Sequence, residues 1–165
     1  MGMLKPDYYY DTVYDIPYGE LWQNNIRGLI FDIDNTIAPY AENCPTAKVT
    51  ALVKRLQGMG FNVTLLTNNT NKRLECFTTP LGLFGTANAL KPLTRGVRKA
   101  MRYMKTTRRQ TAIIGDQLLS DIWAGKNARI TTILIKPLSD KDFAFVRIKR
   151  MIEGWLLRRY YGDLK

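Results

Sequence analysis

Polar residues of a few chemical types stand at the ends of several apolar runs in this 165-residue chain. Asp32 and Asp34 end the run that begins at Gly28, and Thr67 ends the run in FNVTLL. The same pattern continues along the chain with Asn68, Asn69, Lys91, Asp116 and Asp121. Because ligands of open α/β sheets bind beyond the carboxyl ends of the strands, we expect these side chains to share one sheet edge.

Carboxylates, a hydroxyl, amides and an ammonium group together suit phosphoryl chemistry that uses Mg²⁺. Mg²⁺ prefers oxygen ligands, usually one or two carboxylates plus a substrate phosphate, so Asp32 and Asp116 are candidate ligands. A carboxylate can also attack phosphorus and become an aspartyl-phosphate. A phosphate dianion would repel Asp32, but Mg²⁺ on one side and Lys91 on the other would neutralise that repulsion.

Asp34 stands two residues beyond Asp32, where a turn after the strand would let it reach the leaving-group oxygen. There it could donate a proton to the leaving group and later accept one from the attacking water. The Thr67 hydroxyl, Asn68 and the backbone N–H groups that follow can donate hydrogen bonds to phosphate oxygens.

Each of these residues also has a simpler explanation when it is taken alone. An aspartate at a strand end commonly caps a turn, Asn68 and Asn69 could only form the turn, and Lys91 could be a solvated surface lysine. Asp121 could support the N-terminus of a helix that starts at Ser120. The convergence of the whole set at predicted strand ends favours a chemical site.

The elements that must position these residues alternate between strands and helices. The predicted strands are residues 28–33, the run in FNVTLL, residues 87–90, residues 110–115 and the run TTILIK. The predicted helices run from Thr46 to about Gly58, over 71–77 with Pro80 and Gly82 after it, from the N-cap Thr94 through Met104, and over 120–127 and 142–161. Such alternation predicts a mainly parallel sheet with helices on both faces.

The length predicts a single domain over residues 1–165. Residues 1–27 are rich in tyrosine and form an N-terminal leader, which we expect to pack onto the domain; a loose tail is the alternative. Residues 142–161 form a basic amphipathic helix, with Phe145, Ile148 and Trp155 on its apolar face. Such a helix is typical of an interfacial membrane anchor, and docking on the sheet or on a partner subunit is the alternative.

Four segments resemble the motifs of haloacid dehalogenase-like (HAD) phosphatases. FDIDNT fits the first motif, DxDxT, and LLTNN fits the second, a hydrophobic strand that ends in Thr or Ser. Lys91 in LKP fits the third motif, and IGDQLLSD fits the fourth, GDxxxxD. Their order over residues 29–121 implies the HAD-type Rossmann-like three-layer sandwich.

The chain more specifically resembles the YqeG-like subclass IIIA of HAD phosphatases. This resemblance rests on DIDNTIAPY, TNNTNKR, ALKP and IGDQLLSDIWAGKNARITTILIKPL, and it covers most of the chain. Similar members include the phosphatidylglycerophosphate phosphatases of mitochondria and plastids. The resemblance implies that Asp32 is the nucleophile and a Mg²⁺ ligand, and that Asp34 is the acid/base and binds Mg²⁺ through its main-chain carbonyl.

The resemblance also implies roles for the remaining site residues. Thr67, Asn68 and Lys91 would hold the phosphoryl group, and Asp116 would complete the metal site. Asp121 would orient Lys91 or a metal-bound water.

The motif spacing predicts that the domain carries no cap. Only 32 residues lie between Asp34 and Thr67, and only 22 lie between Asn68 and Lys91. Neither gap can hold a second domain with its own core. An open site suits a phosphate on something large, such as a lipid headgroup, a protein or a nucleic-acid end.

The net charge is +11, from 25 Lys and Arg against 14 Asp and Glu. Eight of these cations, and no acid, fall between Lys91 and Arg109, which favours an anionic docking surface beside the site. The chain has no histidine, so His-based metal sites and Ser-His catalysis are excluded. The chain has two cysteines that form no CxxC pair, no signal-peptide pattern and no run of about 20 apolar residues. These features predict a cytoplasmic or organelle-matrix protein that is peripheral at a membrane.

The leading hypothesis is therefore a Mg²⁺-dependent phosphomonoester phosphatase that acts through an aspartyl-phosphate, with phosphatidylglycerophosphate as its substrate. One alternative is a broad-specificity phosphatase for soluble phosphate esters. Another is a nucleic-acid or ribosome-associated binding protein that uses the positive charge. The sequence leaves the oligomeric state open.

Overall fold

The computed structural model describes residues 4–139, which fold around a six-stranded sheet. The strands are β1 (Tyr8–Tyr10), β2 (Gly28–Phe31), β3 (Asn62–Leu66), β4 (Phe84–Thr86), β5 (Thr111–Gly115) and β6 (Thr131–Ile135). Their order is β1-β6-β5-β2-β3-β4, and every neighbouring pair is parallel. The predicted parallel Rossmann-like sheet is confirmed, and the described residues contain no cap domain.

Helices cover both faces of this sheet. They are α1 (Tyr18–Gln23), α2 (Ala47–Gly58), α3 (Asn71–Leu81), α4 (Arg95–Met104) and α5 (Trp123–Ala128), with a 3₁₀ turn at Arg108–Gln110 and a π-helical turn at Leu118–Ile122. None of the helices in this part of the chain has the length and apolar content that crossing a membrane would require.

Alternation along the strands divides the core between the two faces. Leu29 and Phe31 of β2 pack with side chains of α1, α2 and α3, whereas Ile30 packs with α4 and α5. All four residues of β2 are buried, as expected for a central parallel strand. The strand that carries Asp32 at its end is therefore anchored on both sides.

The third helix is longer than its sequence predicted. It continues to Leu81 with Pro80 inside its last turn, and it ends where Gly82 takes a left-handed φ of 63°. Burial of Leu81 in the core favours the extra turn despite the proline, which costs a backbone hydrogen bond. The prediction that the helix stops near Phe77 is wrong.

The predicted strand at residues 87–90 is also wrong, because the strand lies at Phe84–Thr86 instead. Asn88 and Leu90 have φ values of 47° and 53°, which no extended strand adopts. Gly85 permits the actual strand to pack close to α3, since a Cβ there would lie 2.5 Å from the Leu74 side chain.

The N-terminal residues 4–27 contribute both a strand and a helix, which the sequence analysis did not anticipate. Tyr8 of β1 pairs with Ile133 of β6 at the sheet edge. Tyr18 and Leu21 of α1 are buried in the larger core cluster. The predicted C-terminal helix at 142–161 lies outside the described residues.

Candidate active site

The carboxyl edge of the central strands gathers the buried acids of the chain. Asp32 follows β2, Asp116 follows β5, and Asp121 lies in the π-helical turn behind it. One carboxylate oxygen from each lies within 4.8 Å of the other two, and all three residues are buried. The sequence-predicted convergence of Asp32, Asp116 and Asp121 is present in the structure.

Lys91 lies at the centre of this acidic cluster. Its Nζ donates hydrogen bonds to Asp32 Oδ1 at 2.6 Å, to Asp121 Oδ1 at 2.6 Å and to the Leu66 carbonyl at 2.9 Å. These three acceptors use all three ammonium protons. Burial disfavours the charged form, but Asp121 and Asp32 outweigh burial and raise the pKa of Lys91. Lys91 is therefore a fixed positive charge at the end of β2.

The contact with Lys91 balances the negative charge of Asp32 only in part. Burial raises the pKa of Asp32 to about 7; Lys91 opposes the rise, while Asp121 and Asp34 add to it. Carboxylates outnumber the cations that contact them in this pocket, so a divalent cation would stabilise their ionised forms. The donor set thus fits a Mg²⁺-type ion, which prefers carboxylate oxygen.

The hydrogen bonds indicate which acids would hold that ion. Asp121 accepts from Lys91 on one oxygen and from the Gln117 backbone N–H at 3.2 Å on the other. The Thr36 hydroxyl lies 3.3 Å from Asp32 Oδ2 and 3.4 Å from Asp116 Oδ1. Asp32 and Asp116 therefore lie side by side, an arrangement that suits two carboxylates binding the same cation.

Thr36 was missed as a site residue, although it is the threonine of the DxDxT pattern. Its side chain is fully buried between the two candidate metal ligands. The DxDxT motif could have identified Thr36 as a site residue. Its role becomes visible only in the fold, where Asp116 lies beside it.

Asp34 lies outside the acidic cluster and has its own cation. The Arg73 guanidinium contacts Asp34 Oδ1 at 3.0 Å, and Asn69 Nδ2 donates to Asp34 Oδ2 at 3.1 Å. Arg73 also donates to the carbonyls of Pro39 and Glu42, in the loop that follows the first motif. No role was predicted for Arg73 from the sequence. Its place in TNNTNKR, at the first turn of α3, was the one feature that could have identified it as a site residue.

The polar residues after β3 have separate tasks. Thr67 is 1% exposed, and its hydroxyl accepts a hydrogen bond from the Asn69 backbone at 3.0 Å. The Asn68 side chain accepts from the Lys91 N–H at 2.8 Å and donates to the Lys91 carbonyl at 3.2 Å. The Asn68 side chain therefore holds the backbone of Lys91 in place. Its predicted contact with phosphate stays a prediction.

Asp121 reaches Lys91 because Gly115 leaves space for it. A Cβ at position 115 would lie 2.3 Å from Asp121 Cγ, so a larger residue there would displace the carboxylate. The direct contact between Asp121 and Lys91 agrees with the expected orienting role, which stays a prediction.

The arrangement contains the groups that nucleophilic attack by a carboxylate on a phosphoryl group requires. Asp32 would supply the attacking oxygen, Lys91 a fixed charge beside it, and Asp34 a second carboxylate for proton transfer. The carboxylates of Asp32 and Asp116 fit a divalent cation.

Comparisons with known proteins agree with this geometry. Residues 37–129, more than half of the chain, match a family model described as haloacid dehalogenase-like hydrolase. The chain is 30% identical over 152 residues to "Probable phosphatase YqeG" of Bacillus subtilis, covering 92% of this chain and 88% of that protein.

A more distant relative is the chloroplastic phosphatidylglycerophosphate phosphatase 1 of Chlamydomonas reinhardtii. It is 27% identical over 143 residues, which cover 80% of this chain and 53% of the relative. The chain thus spans about half the length of that protein.

Among solved structures, the cobalt-bound deoxy-D-mannose-octulosonate 8-phosphate phosphatase of Haemophilus influenzae has the same fold. Its TM-score is 0.53 at 19% identity, with 85% of this chain and 94% of that chain covered. The chain belongs to the haloacid dehalogenase-like hydrolases, as a phosphatase of the YqeG-like group.

Proposed function

We propose that this chain is a Mg²⁺-dependent phosphomonoester phosphatase that acts through an aspartyl-phosphate on Asp32. The observation that carries this proposal is the buried cluster of Asp32, Asp116 and Asp121, in which Asp32 and Asp121 contact the Lys91 ammonium group. Such a cluster is costly to bury and serves little purpose in packing, so a chemical task is its simplest explanation.

The cation would be held by the carboxylates of Asp32 and Asp116 and by the main-chain carbonyl of Asp34. When bound, Mg²⁺ would supply positive charge against the phosphate oxygens and against the charge that develops in the transition state. Lys91 supplies the matching charge from the protein side, and its three hydrogen bonds leave it no freedom to move away.

In the first step, a carboxylate oxygen of Asp32 forms a bond to phosphorus while the bond from phosphorus to the ester oxygen breaks. Asp34 gives its proton to that leaving oxygen. Thr67 and the backbone N–H groups after β3 orient the phosphoryl oxygens.

In the second step, water attacks the same phosphorus and gives a proton back to Asp34. The bond between phosphorus and Asp32 breaks, which restores the Asp32 carboxylate and releases inorganic phosphate. Arg73 and Asn69 hold the two oxygens of Asp34 near the path of both proton transfers.

We propose phosphatidylglycerophosphate as the physiological substrate. The relative from Chlamydomonas carries that activity in its name, and the open edge without a cap leaves room for a lipid headgroup. The +11 charge suits an anionic membrane, at which the protein would act from the cytoplasm or an organelle matrix. Soluble phosphate esters are the competing substrate class.

Phosphate release from phosphatidylglycerophosphate in mixed micelles tests this proposal. A panel of soluble phosphate esters is measured alongside, with Mg²⁺ and with a chelator, and Asp32→Asn serves as the blank. Preference for the lipid, lost in the variant and on chelation, is the expected result. Release from soluble esters alone would overturn the lipid substrate, and release that persists in Asp32→Asn would overturn the mechanism.

A further inference from the structure

The loop between β4 and α4 turns two leucines outward beside the catalytic lysine. The Leu93 N–H donates to the Leu90 carbonyl at 2.9 Å, which closes a turn with Lys91 inside it. Leu90 is 67% exposed and Leu93 is 60% exposed, whereas Lys91 is 7% exposed. The turn therefore directs its cation into the site and its apolar side chains into solvent.

A third exposed leucine lies near the opposite side of the site. The Leu138 N–H donates to the carbonyl of Asn35, the residue after Asp34, at 3.1 Å. Leu138 is 39% exposed. Exposed leucines thus flank the carboxyl edge, where the phosphate of a substrate would enter.

A stripe of cations begins two residues after Leu93. Arg95, Arg98, Arg102 and Lys105 recur every three or four residues along α4, so they share one side of the helix, and all four are exposed. Together with Thr94, Met101 and Thr106–Arg108, they line an open groove of about 680 Å³. Within residues 4–139, none of these cations forms an ion pair with a carboxylate.

We propose that the Leu90–Leu93 turn and the cationic stripe of α4 form one docking face for an anionic lipid bilayer. The leucines enter the apolar layer, and the cations contact lipid phosphates. The face would hold the carboxyl edge against the membrane, which rests on the proposed action on a lipid phosphate. Nucleic acid fits less well, because exposed leucines at the mouth have no partner on a sugar-phosphate backbone and do not stack on bases.

Vesicle flotation of the full chain tests this face directly. The probes are phosphatidylcholine vesicles with and without phosphatidylserine, an anionic lipid that is neither substrate nor product of the proposed reaction. One variant is Leu90→Asn/Leu93→Asn, since asparagine tolerates the positive φ at position 90. The other is Arg98→Gln/Arg102→Gln.

Matched controls come from elsewhere on the molecule. Lys54→Gln/Arg55→Gln removes the same charge from exposed positions near the C-terminal end of α2, which packs on the other sheet face. Met59→Asn removes an exposed apolar side chain that follows α2.

We expect the wild type to float only with the anionic vesicles, and less as salt is added. Each docking variant should lower the vesicle partition coefficient by about 25-fold or more, since each removes two side chains, and a cation near anionic lipid contributes about a factor of five and a buried leucine more. The controls should change it less than twofold. Equal flotation of docking variants and controls would overturn the proposal, as would retention on RNA without flotation.

Hydrolysis of p-nitrophenyl phosphate separates this proposal from the proposed function. Variants that lose flotation but keep this soluble turnover would support the docking face. A wild type that hydrolyses the ester but does not float would overturn the docking face and leave the phosphatase standing. Flotation without any turnover would overturn the phosphatase and leave the face.

Discussion

The two cations that contact the first-motif acids occupy different halves of the site. In the inner half, Lys91 bridges Asp32 and Asp121, and its side chain is 2% exposed. In the outer half, Arg73 contacts Asp34 and two loop carbonyls, and its side chain is 10% exposed. In the proposed mechanism, Lys91 would set the charge beside the attacking carboxylate, whereas Arg73 would set the position of the carboxylate that transfers protons.

This difference indicates how substitutions should divide between chemistry and stability. A lysine that balances two buried carboxylates is coupled to folding, because its removal leaves charges that water cannot reach. Arg73 contacts one carboxylate instead of two, and Asn69 still donates a hydrogen bond to Asp34 when the guanidinium is removed. Substitutions in the inner half should therefore cost more stability than those in the outer half, where the loss of turnover should dominate.

The largest expected effect comes from Asp32→Asn in the inner half. Turnover should fall by about 10⁴-fold or more, because the amide cannot attack phosphorus. The fold should persist, since Asn has almost the same volume and can still accept from Lys91. Phosphate release and the melting temperature measure the two effects, and turnover near the wild-type level would show that another group is the nucleophile.

Asp116→Ala should weaken cation binding rather than remove the nucleophile. We expect the Mg²⁺ concentration for half-maximal turnover to rise by at least about 10- to 100-fold, with turnover partly restored at high Mg²⁺. A Mg²⁺ titration of both proteins measures this shift. An unchanged titration curve would move the metal site to other acids, with Asp121 the first to examine.

Lys91→Met should cost both turnover and stability. It leaves Asp32 and Asp121 buried without their shared cation, so the free energy of unfolding should fall by about 3–5 kcal/mol in the presence of a chelator. Adding Asp121→Asn to this variant should restore part of that loss, because it removes one uncompensated charge. Urea unfolding measures both, and no recovery in the double variant would show that Asp121 is not coupled to Lys91.

Arg73→Gln tests the contact with Asp34 in the outer half of the site. We expect kcat to fall by about 10- to 100-fold, with a smaller loss in the free energy of unfolding than in Lys91→Met, because one buried carboxylate instead of two loses its cation. Arg73→Lys should recover little, because one ammonium group cannot reach Asp34 and both loop carbonyls at once. In the background Asp34→Asn, Arg73→Gln should add almost no further loss. A full additional loss there would show that Arg73 acts on the substrate or the fold instead of through Asp34.

The sequence predicted the inner half of the site better than the outer half. Asp32, Thr67 and Asp116 each follow a buried strand, and parallel strands bring their carboxyl ends together in any such fold. Lys91 was predicted from a strand at 87–90 that does not form; the loop after β4 brings it to the same edge. Arg73 lies on a helix, where its contact with Asp34 depends on the path of the loop after the first motif. Loop residues show no regular hydrophobic spacing, so the sequence could not predict the path of this loop or the contact that depends on it.

The central strands of the fold were also easier to predict from the sequence than the edge strands. Strong apolar runs such as β2 and β5 were found, because burial on both faces demands them. The edge strands β1 and β4 have three residues each, and their residues are exposed or only half-buried. Tyrosines at 8–10 and the glycine at position 85 carry little strand signal, so only pairing with β6 and β3 defines these strands.

The smallest expected effect lies at the sheet edge, outside both halves of the site. Asp7 accepts from the Thr132 N–H and hydroxyl, each at 2.8 Å, and pairs with Lys126. These contacts outweigh burial, which acts in the opposite direction, and lower the pKa of Asp7 below 3.8. Because the folded-state pKa is depressed, the stabilisation is complete above the unfolded pKa and disappears as the pH falls through the folded pKa. Asp7→Asn should therefore cost about 1 kcal/mol or less at pH 7, since the pair is partly exposed, and less at pH 2 than at pH 7. Urea unfolding of the two proteins at both pH values measures this difference, and a cost that stays constant with pH would mean that packing of β1, rather than charge, accounts for it.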